Sequence, residues 1–336
     1  MAKKVTSFDV AQLAGVSQPT VSRALRNLPG TSPATRDRVR QAARELSYVP
    51  SDTGRSLSTQ RTRRIAVVSD ELTNPYYPEL VEPVRRYLSA HGYRTVLLTE
   101  TSATDDHGPA VDDLADGSYD GALLTTTLRR SSLPRDLSER GLPHVLVNRV
   151  LDVAESPSCT VDNARGSAEI ADLVASLGHR RVGAIHGPVG TSTGRERAEA
   201  LVRRLRHHGI APRRHHTRRA AFGHDTGMQA AVDILRSPDP PTALICANDV
   251  LALGALSAAR RLSLRVPQDL TIIGFDDIPM ASWPLVDLTT VRCDLDALAR
   301  EAVLLLLDEI REPSRAPQLR TVPVSLQVRG THAAPP

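Results

Sequence analysis

From residue 64 onward the chain repeats one pattern, a short apolar run followed by a helical stretch. Ile65-Ala66-Val67-Val68 leads to helical spacing over residues 80–88. Thr95-Val96-Leu97-Leu98, Gly121-Ala122-Leu123-Leu124 and His144-Val145-Leu146-Val147 are further strand-like runs. The scheme then starts again with Val182-Gly183-Ala184-Ile185, a helix over about residues 195–207, Ala243-Leu244-Ile245-Cys246 and Leu270-Thr271-Ile272-Ile273. Strands alternating with helices imply parallel sheets covered by helices. Two consecutive copies predict two α/β lobes with a crevice between them. The carboxyl ends of parallel strands place ligands in such a crevice.

The first 64 residues follow another rule. They hold twelve Lys and Arg against four acids, a net charge of +8, whereas the whole chain carries only +4. The remainder is therefore net negative. Lys occurs twice against forty Arg, so base composition contributes to the arginine content. A compositional bias would act on the whole chain, however, and the body does not share the imbalance. A basic head on a mildly acidic body suggests contact with a polyanion.

Three short helices can be read in the head. Thr6 can cap the first, with Asp9 near its positive end, Val10, Leu13 and Ala14 on its apolar side, and Gly15 as its stop. Ser17 caps the second, which tolerates Pro19 in its first turn and buries Val21, Ala24 and Leu25. Ser32-Pro33 opens the third, with Val39, Ala42, Ala43 and Leu46 inward. The break Gly15-Val16-Ser17 has the length and the glycine of a helix-turn-helix. On the second helix Gln18, Ser22 and Arg26 recur at i, i+4 and i+8, with Pro19 and Arg23 beside them. Gln can pair with adenine and Arg with guanine in the major groove. Hydroxyls and helix starts at Ser17, Thr20, Ser22, Ser32 and Thr35 suit phosphate contacts. The alternative is a solvated face on an ordinary three-helix domain.

The stretch Val5-Thr6-Ser7-Phe8-Asp9-Val10-Ala11-Gln12-Leu13-Ala14-Gly15-Val16-Ser17-Gln18-Pro19-Thr20-Val21-Ser22-Arg23-Ala24-Leu25 closely resembles the N-terminal signature of LacI/GalR-family transcription regulators. Pro29-Gly30-Thr31-Ser32-Pro33-Ala34-Thr35-Arg36 and Leu46-Ser47-Tyr48-Val49-Pro50 continue it. The resemblance implies that the second helix enters the major groove and that Gln18, Pro19 and Arg23 read bases. Arg26 stands where the family often has Asn and adds charge near the backbone. Residues 50–62 read by composition as a flexible polar linker. The resemblance implies instead a hinge helix that folds on DNA around Arg55-Ser56-Leu57, with Leu57 from each of two copies wedged into the minor groove. Gly54 costs such a helix about 1 kcal/mol relative to Ala, so the hinge is expected to be unfolded without DNA.

The body resembles the effector-binding core of the same family, built like periplasmic sugar-binding proteins. Asn74-Pro75-Tyr76-Tyr77, Leu177-Gly178-His179-Arg180-Arg181, Ala247-Asn248-Asp249-Val250-Leu251, Gly274-Phe275-Asp276-Asp277-Ile278-Pro279 and Leu288-Thr289-Thr290-Val291-Arg292 carry that likeness. It implies effector contacts at Asp70, Tyr76, Tyr77, Asn148, Arg197, Phe222, Asn248, Asp276 and Cys293. This set suits a sugar or polyol: carboxylates and amides meet hydroxyls, Arg donates a fork, and aromatics stack on a C–H face. Asn248 and Asp276 can alternatively be helix caps, and Tyr76 and Tyr77 lobe packing. Asn148 stands where many members have Asp, and Cys293 where many have Gln; both changes put a standard hexose pose in doubt. The expected organisation is an all-α helix-turn-helix domain over 1–49, a hinge over 50–62, and a two-lobed α/β core over 63–331. The first lobe would take about 63–160 and 290–318, the second about 161–289 and 319–331.

Other classes find less support. No run of eighteen apolar residues offers a membrane span, and no apolar signal core follows the first residues. Three scattered cysteines make no disulfide framework and suit a reducing compartment. Gly187-Pro188-Val189-Gly190-Thr191-Ser192-Thr193-Gly194-Arg195 lacks the Gly-Lys-Ser/Thr ending of a P-loop, and no Gly-x-Ser-x-Gly elbow exists. His207-His208 and His215-His216 lie within seven arginines between residues 203 and 219. That repulsion disfavours a metal ion, and a solvated basic loop is the simpler reading. The expectation is a homodimeric repressor, acting on palindromic DNA in the cytoplasm at the nucleoid and released by a sugar-like effector. No cofactor, metal, membrane or enzymatic activity is expected. A periplasmic-type binding protein is the main competitor.

Overall fold

A computed structural model describes residues 5–49, 61–69, 72–99, 111–313 and 316–336. Contacts divide the chain into two units, 1–62 and 63–336.

The head contains α1 (Ser7–Ala14), α2 (Gln18–Leu25) and α3 (Pro33–Glu45). At the start of α1 the Asp9 carboxylate accepts from the Thr6 N–H at 2.8 Å and from its hydroxyl at 2.7 Å. Gly15 ends the helix at φ +64°, a conformation that costs any residue with a Cβ. Val10, Ala11, Ala14, Val21, Ala24, Val39, Ala42 and Ala43 form the core. Five of those eight are alanines, which lets three short helices approach closely. Leu13 departs from its expected inward place and is 50% exposed. At 100° per residue it lies about 110° round from the centre of the face that Val10, Ala11 and Ala14 bury.

The core unit is built from β1 (Arg64–Val68), β2 (Arg94–Leu98), β3 (Gly121–Leu124), β4 (His144–Val147), β5 (Ser158–Val161), β6 (Val182–His186), β7 (Thr217–Arg219), β8 (Ala243–Cys246), β9 (Thr271–Ile273), β10 (Thr290–Cys293), β11 (Leu319–Val322) and β12 (Val324–Gln327). Its helices are α4 (Tyr76–Ala90), α5 (Val111–Ala115), α6 (Leu133–Glu139), α7 (Asn163–Ser176), α8 (Ser192–His207), α9 (His224–Leu235), α10 (Asp249–Arg261) and α11 (Leu295–Arg311). One parallel sheet has the order β11-β5-β4-β3-β1-β2, and a second has β7-β6-β8-β9. Every residue of β3, β4, β6 and β8 is buried, as helices on both faces require. In each sheet the first strand of its lobe, β1 or β6, has neighbours on both sides, so the winding reverses beside it. Such a reversal opens a crevice at the strands' carboxyl ends.

The chain passes between the lobes after β5, around β10 and after β11; β10 and β12 pair antiparallel in the crossing region. One expected boundary shifts. Leu319–Val322, placed by the sequence reading in the second lobe, pairs parallel with β5 as the edge strand of the first sheet. Only the segment beyond β12 returns to the second lobe, where the Ile272 N–H donates to the Thr331 carbonyl at 2.9 Å. Trp283 follows a short turn on the second lobe and is exposed.

Candidate functional site

The head presents one polar surface. Gln18, Pro19, Ser22 and Arg23 are exposed on α2, exposed Arg26 caps its end, and Ser17 precedes it. Thr20 and Thr35 are half-buried. The Gln18 amide donates to the Ser7 hydroxyl at 2.8 Å, which fixes its direction off the helix start. The Ser17 and Thr20 hydroxyls lie 2.9 Å apart, and Ser32 accepts from the Thr35 N–H at 3.2 Å as the cap of α3. Arg36 and Arg40 do more than add charge. Arg36 binds the Thr31 hydroxyl and the Leu28 carbonyl, and Arg40 binds the Asn27 amide, so α3 holds the loop after α2. Arg55 and Leu57 lie outside the described residues.

Between the lobes, a small cavity is walled by Asn74, Tyr76, Tyr77, Asn148, Thr193, Arg197, Phe222, Asn248 and Asp276. Each follows the carboxyl end of a strand: β1 for the first three, then β4, β6 for Thr193 and Arg197, β7, β8 and β9. Seven of the nine expected effector contacts therefore meet in one place. Asp70 lies outside the described residues. Cys293 is buried but does not line the cavity; its backbone N–H is held by the Asp276 carbonyl at 3.2 Å, which sets it against that residue. Burial pushes its thiol well above the ordinary range, so it is a neutral packing group.

The wall is a closed set of mutual bonds. Arg197, 5% exposed, donates from Nε to the Asn163 amide oxygen at 2.8 Å and from a terminal nitrogen to the Ala247 carbonyl and to Asp276 Oδ1, at 2.8 and 3.0 Å. Its guanidinium lies 3.7 Å from the centre of the Phe275 ring. Burial is the largest influence and works against its charge, but Asp276 and smaller contributions from Cys293 and Tyr76 together outweigh it and hold its pKa above the ordinary value. On the other side, the Tyr76 hydroxyl donates to Asn148 Oδ1 at 3.0 Å, and the Asn148 amide reaches the Tyr77 hydroxyl at 3.5 Å. Burial pushes the Tyr76 phenol well up, which keeps it a neutral donor. Arg149 lies 5.8 Å from the centres of both the Tyr77 and Phe222 rings, bridging the aromatics of the two lobes.

Backbone strain gathers here. Asn148, Asp276 and Asp277 have φ of +70°, +122° and +58°, a region that non-glycine residues enter at a cost. Asp277 is clamped by Arg292 and Arg329, both at 2.6 Å. Asn248 is both wall and cap, its Oδ1 accepting from the Leu251 N–H at 3.1 Å. Asp249 beside it is buried, accepts from the Thr290 hydroxyl and the Ile278 N–H, and is pushed well above the usual carboxylate range by burial. Gly187 sits under Phe222, whose ring would stand 2.4 Å from a Cβ there. The glycine-rich stretch before α8 is a helix start, with the Thr191 hydroxyl accepting from the Gly194 N–H at 3.1 Å. Among the described residues no group of three metal-ligating side chains converges.

Asn74, Thr193, Asn163 and Arg149 were not singled out as contacts from the sequence. Asn74 carried a usable signal, since it opens the Asn74-Pro75-Tyr76-Tyr77 motif. Thr193 carried one too, four residues before Arg197 and so on the same helix face. Asn163 and Arg149 act through tertiary neighbours, which no local pattern announces.

A helix-turn-helix head joined to a two-lobed core with a polar, aromatic cleft defines a ligand-responsive DNA-binding regulator. The comparisons with known proteins agree. Residues 8–51 match the model for bacterial regulatory proteins of the lacI family, and residues 171–332 match a periplasmic binding protein-like domain. The transcriptional repressor CytR of Escherichia coli K12 is 35% identical over 335 residues, 98% of this chain and 97% of its own. The structure of a Lac repressor dimer bound to operator and an anti-inducer superposes with a TM-score of 0.89 at 26% identity, covering 99% of this chain and all of that one. A complex of the regulator CelR with cellobiose superposes at 0.75 with 32% identity, covering 97% and 99%. The chain belongs to the LacI family of bacterial transcriptional regulators, and its relatives are regulators rather than enzymes.

Proposed function

We propose that two copies of this chain repress transcription from a palindromic operator and that a sugar-like molecule in the cleft releases them. Gln18, Pro19 and Arg23 read bases in the major groove, while Ser17, Thr20, Ser22, Arg26, Ser32 and Thr35 anchor phosphates. Arg55 and Leu57 act at the centre of the site, where paired leucines open a base step. The work is done on chromosomal DNA, in the cytoplasm at the nucleoid.

The observation that carries the effector reading is a donor–acceptor pair on each wall of the cleft, the first on the first lobe and the second on the second lobe. Tyr76–Asn148 and Arg197–Asp276 are donor–acceptor pairs, with Phe222 beside them. A ring bearing several hydroxyls can replace each bond, since every hydroxyl both donates and accepts, and can lay a C–H face on the aromatic. The pairs leave only about 20 Å³ of cavity, less than a sugar ring needs, so entry requires the walls to separate. A ligand that binds one arrangement better than the other shifts the population between them, and with it the spacing of the DNA-binding heads. Cellobiose in CelR and an anti-inducer in the Lac repressor are ligands of the relatives.

A thermal-shift screen over sugars, polyols and nucleosides tests this. A ligand at a hundred times its Kd stabilises by about 2.7 kcal/mol. The hit should then release operator DNA in a gel shift. A hit that stabilises the protein and leaves operator binding unchanged would refute the proposed release.

A further inference from the structure

We propose that the second lobe holds another binding site, for a small multiply charged anion of the phosphate-ester or pyrophosphate class. It lies on the lobe's flank, between α8 and the edge strand β7, and does not depend on what occupies the cleft.

The Arg- and His-rich stretch from 203 to 219 divides into two groups. One group is neutralised internally. Arg204 binds both oxygens of Asp172 at 2.6 and 3.0 Å, His208 shares that carboxylate at 2.5 Å, and Arg213 binds Asp239 at 2.5 Å. The other group is not. Arg203 and Arg206 from α8, and Arg218 and Arg219 from the β7 edge, line one cavity of about 760 Å³. No carboxylate lies within ion-pairing distance of any of these four among the described residues, and Glu199 is the single acid in the lining. The cavity falls within the range of small-molecule sites, about 300–1,000 Å³.

The ordinary explanation covers only part of this. Cations in the last turn of a helix offset its dipole, which accounts for Arg206. It does not account for Arg203 a turn earlier, nor for two arginines arriving from a neighbouring strand. Arg218 donates to the His215 and Thr217 carbonyls and Arg219 to the Gly187 carbonyl, bonds that leave their charge uncancelled. Four arginines with one acid in a single lining leave an excess of like charge that an anion offsets. Guanidinium forks match phosphate oxygens in pairs, and such charge-assisted bonds are about twice as strong as neutral ones. His186 is buried at the cavity's base, its pKa lowered to about 4 by burial and then by Arg219. It stays neutral at pH 7 and supplies a hydrogen bond rather than further positive charge.

The test is calorimetric titration of the full-length protein at low salt with pyrophosphate. Orthophosphate and glucose 6-phosphate run in parallel separate a free oxyanion from a phosphate ester. The variant is Arg203→Gln with Arg218→Gln. Arg219 is left intact because it also donates to the Gly187 carbonyl at 2.7 Å beneath Phe222. The double variant should melt as wild type and lose at least about tenfold in affinity, the order of one charge-assisted bond. Arg38→Gln with Arg44→Gln, at exposed positions of α3 in the basic head, should leave that affinity unchanged. Three results would each overturn the proposal: no saturable binding, equal loss in the head variant, or loss of affinity for a mixed-sequence duplex or acidic peptide in place of the phosphates.

Discussion

Arg197→Met tests how the cleft is held together. It removes the guanidinium and keeps most of the side chain's length. In the wild type that group makes three hydrogen bonds, one to the Asp276 carboxylate, and lies on the Phe275 ring at 3.7 Å. Asp276 is itself only 5% exposed, so it cannot turn to water for compensation. Removing one member of a buried ion pair costs about 3–5 kcal/mol, chiefly because the other charge stays buried. For a unit of this size each kcal/mol lowers the melting temperature by about 2 °C, so a fall of about 6–10 °C is expected. Adding Asp276→Asn removes both charges and should restore most of the loss, since the two residues act as one pair. The effector response should stay absent in both variants, because donor and acceptor are gone. Calorimetric melts of the three proteins, with gel shifts at and without the effector, measure both effects. A single variant within about 1 kcal/mol of wild type, or a double variant carrying the full sum of two losses, would refute the pairing.

Arg23→Ala should weaken specific DNA binding by about 1–3 kcal/mol and relax one base position, which a substituted-operator series would show; unchanged base preference removes it as a reader. Leu57→Ala should weaken operator binding while non-specific affinity survives, and equal loss of both counts against a wedge. Gly187→Ala places a Cβ 2.4 Å from Phe222; the ring must move, so effector affinity should fall with operator affinity kept. His186 has a folded pKa of about 4 against an ordinary 6.5. The unfolded chain therefore takes up a proton that the fold resists, and stability should fall as pH drops from about 6.5 toward 4, by at most on the order of 3 kcal/mol. His186→Gln should flatten the melting temperature across that window, and an unaltered slope would assign it to other groups.

What could be read from the sequence depended on how local its cause was. Most strands of both lobes were legible because a strand buried on both faces is written as an unbroken apolar run, as in Val182-Gly183-Ala184-Ile185; β5 and β7, Ser-Cys-Thr-Val and Thr-Arg-Arg, carry no such run and were not read. The helix starts were legible because Thr6, Ser32 and Asn248 carry the oxygen that caps their own helix. Seven cleft residues could be placed because the family resemblance carried them over position by position, and the structure sets each after a strand end. Leu319–Val322 was misplaced because Leu-Arg-Thr-Val states that a strand exists and nothing about which sheet takes it; pairing with β5 is a long-range fact. Cys293 lies behind the cavity wall against Asp276, a position the sequence could not show because it depends on where β9 ends. Leu13 shows the limit at short range, where an eight-residue helix with small neighbours leaves a leucine outside.

The cleft and the flank cavity also explain each other. In the cleft, opposite charges and matched hydrogen-bonding groups have closed on one another, so a ligand there must exchange bonds one for one and gains mainly by stacking and by selecting an arrangement of the lobes. On the flank, four arginines share one cavity with a single acid, and a ligand gains directly by offsetting that excess charge. The first design gives specificity for the pattern of hydroxyls and little sensitivity to salt, because its charges are buried and paired. The second gives strong dependence on ionic strength, because its guanidinium groups are exposed and their repulsion is screened over about 10 Å at 0.1 M salt. Raising salt from 50 to 300 mM should therefore weaken pyrophosphate binding at the flank severalfold and leave effector binding in the cleft nearly unchanged. That contrast separates the two sites in a single protein without any substitution.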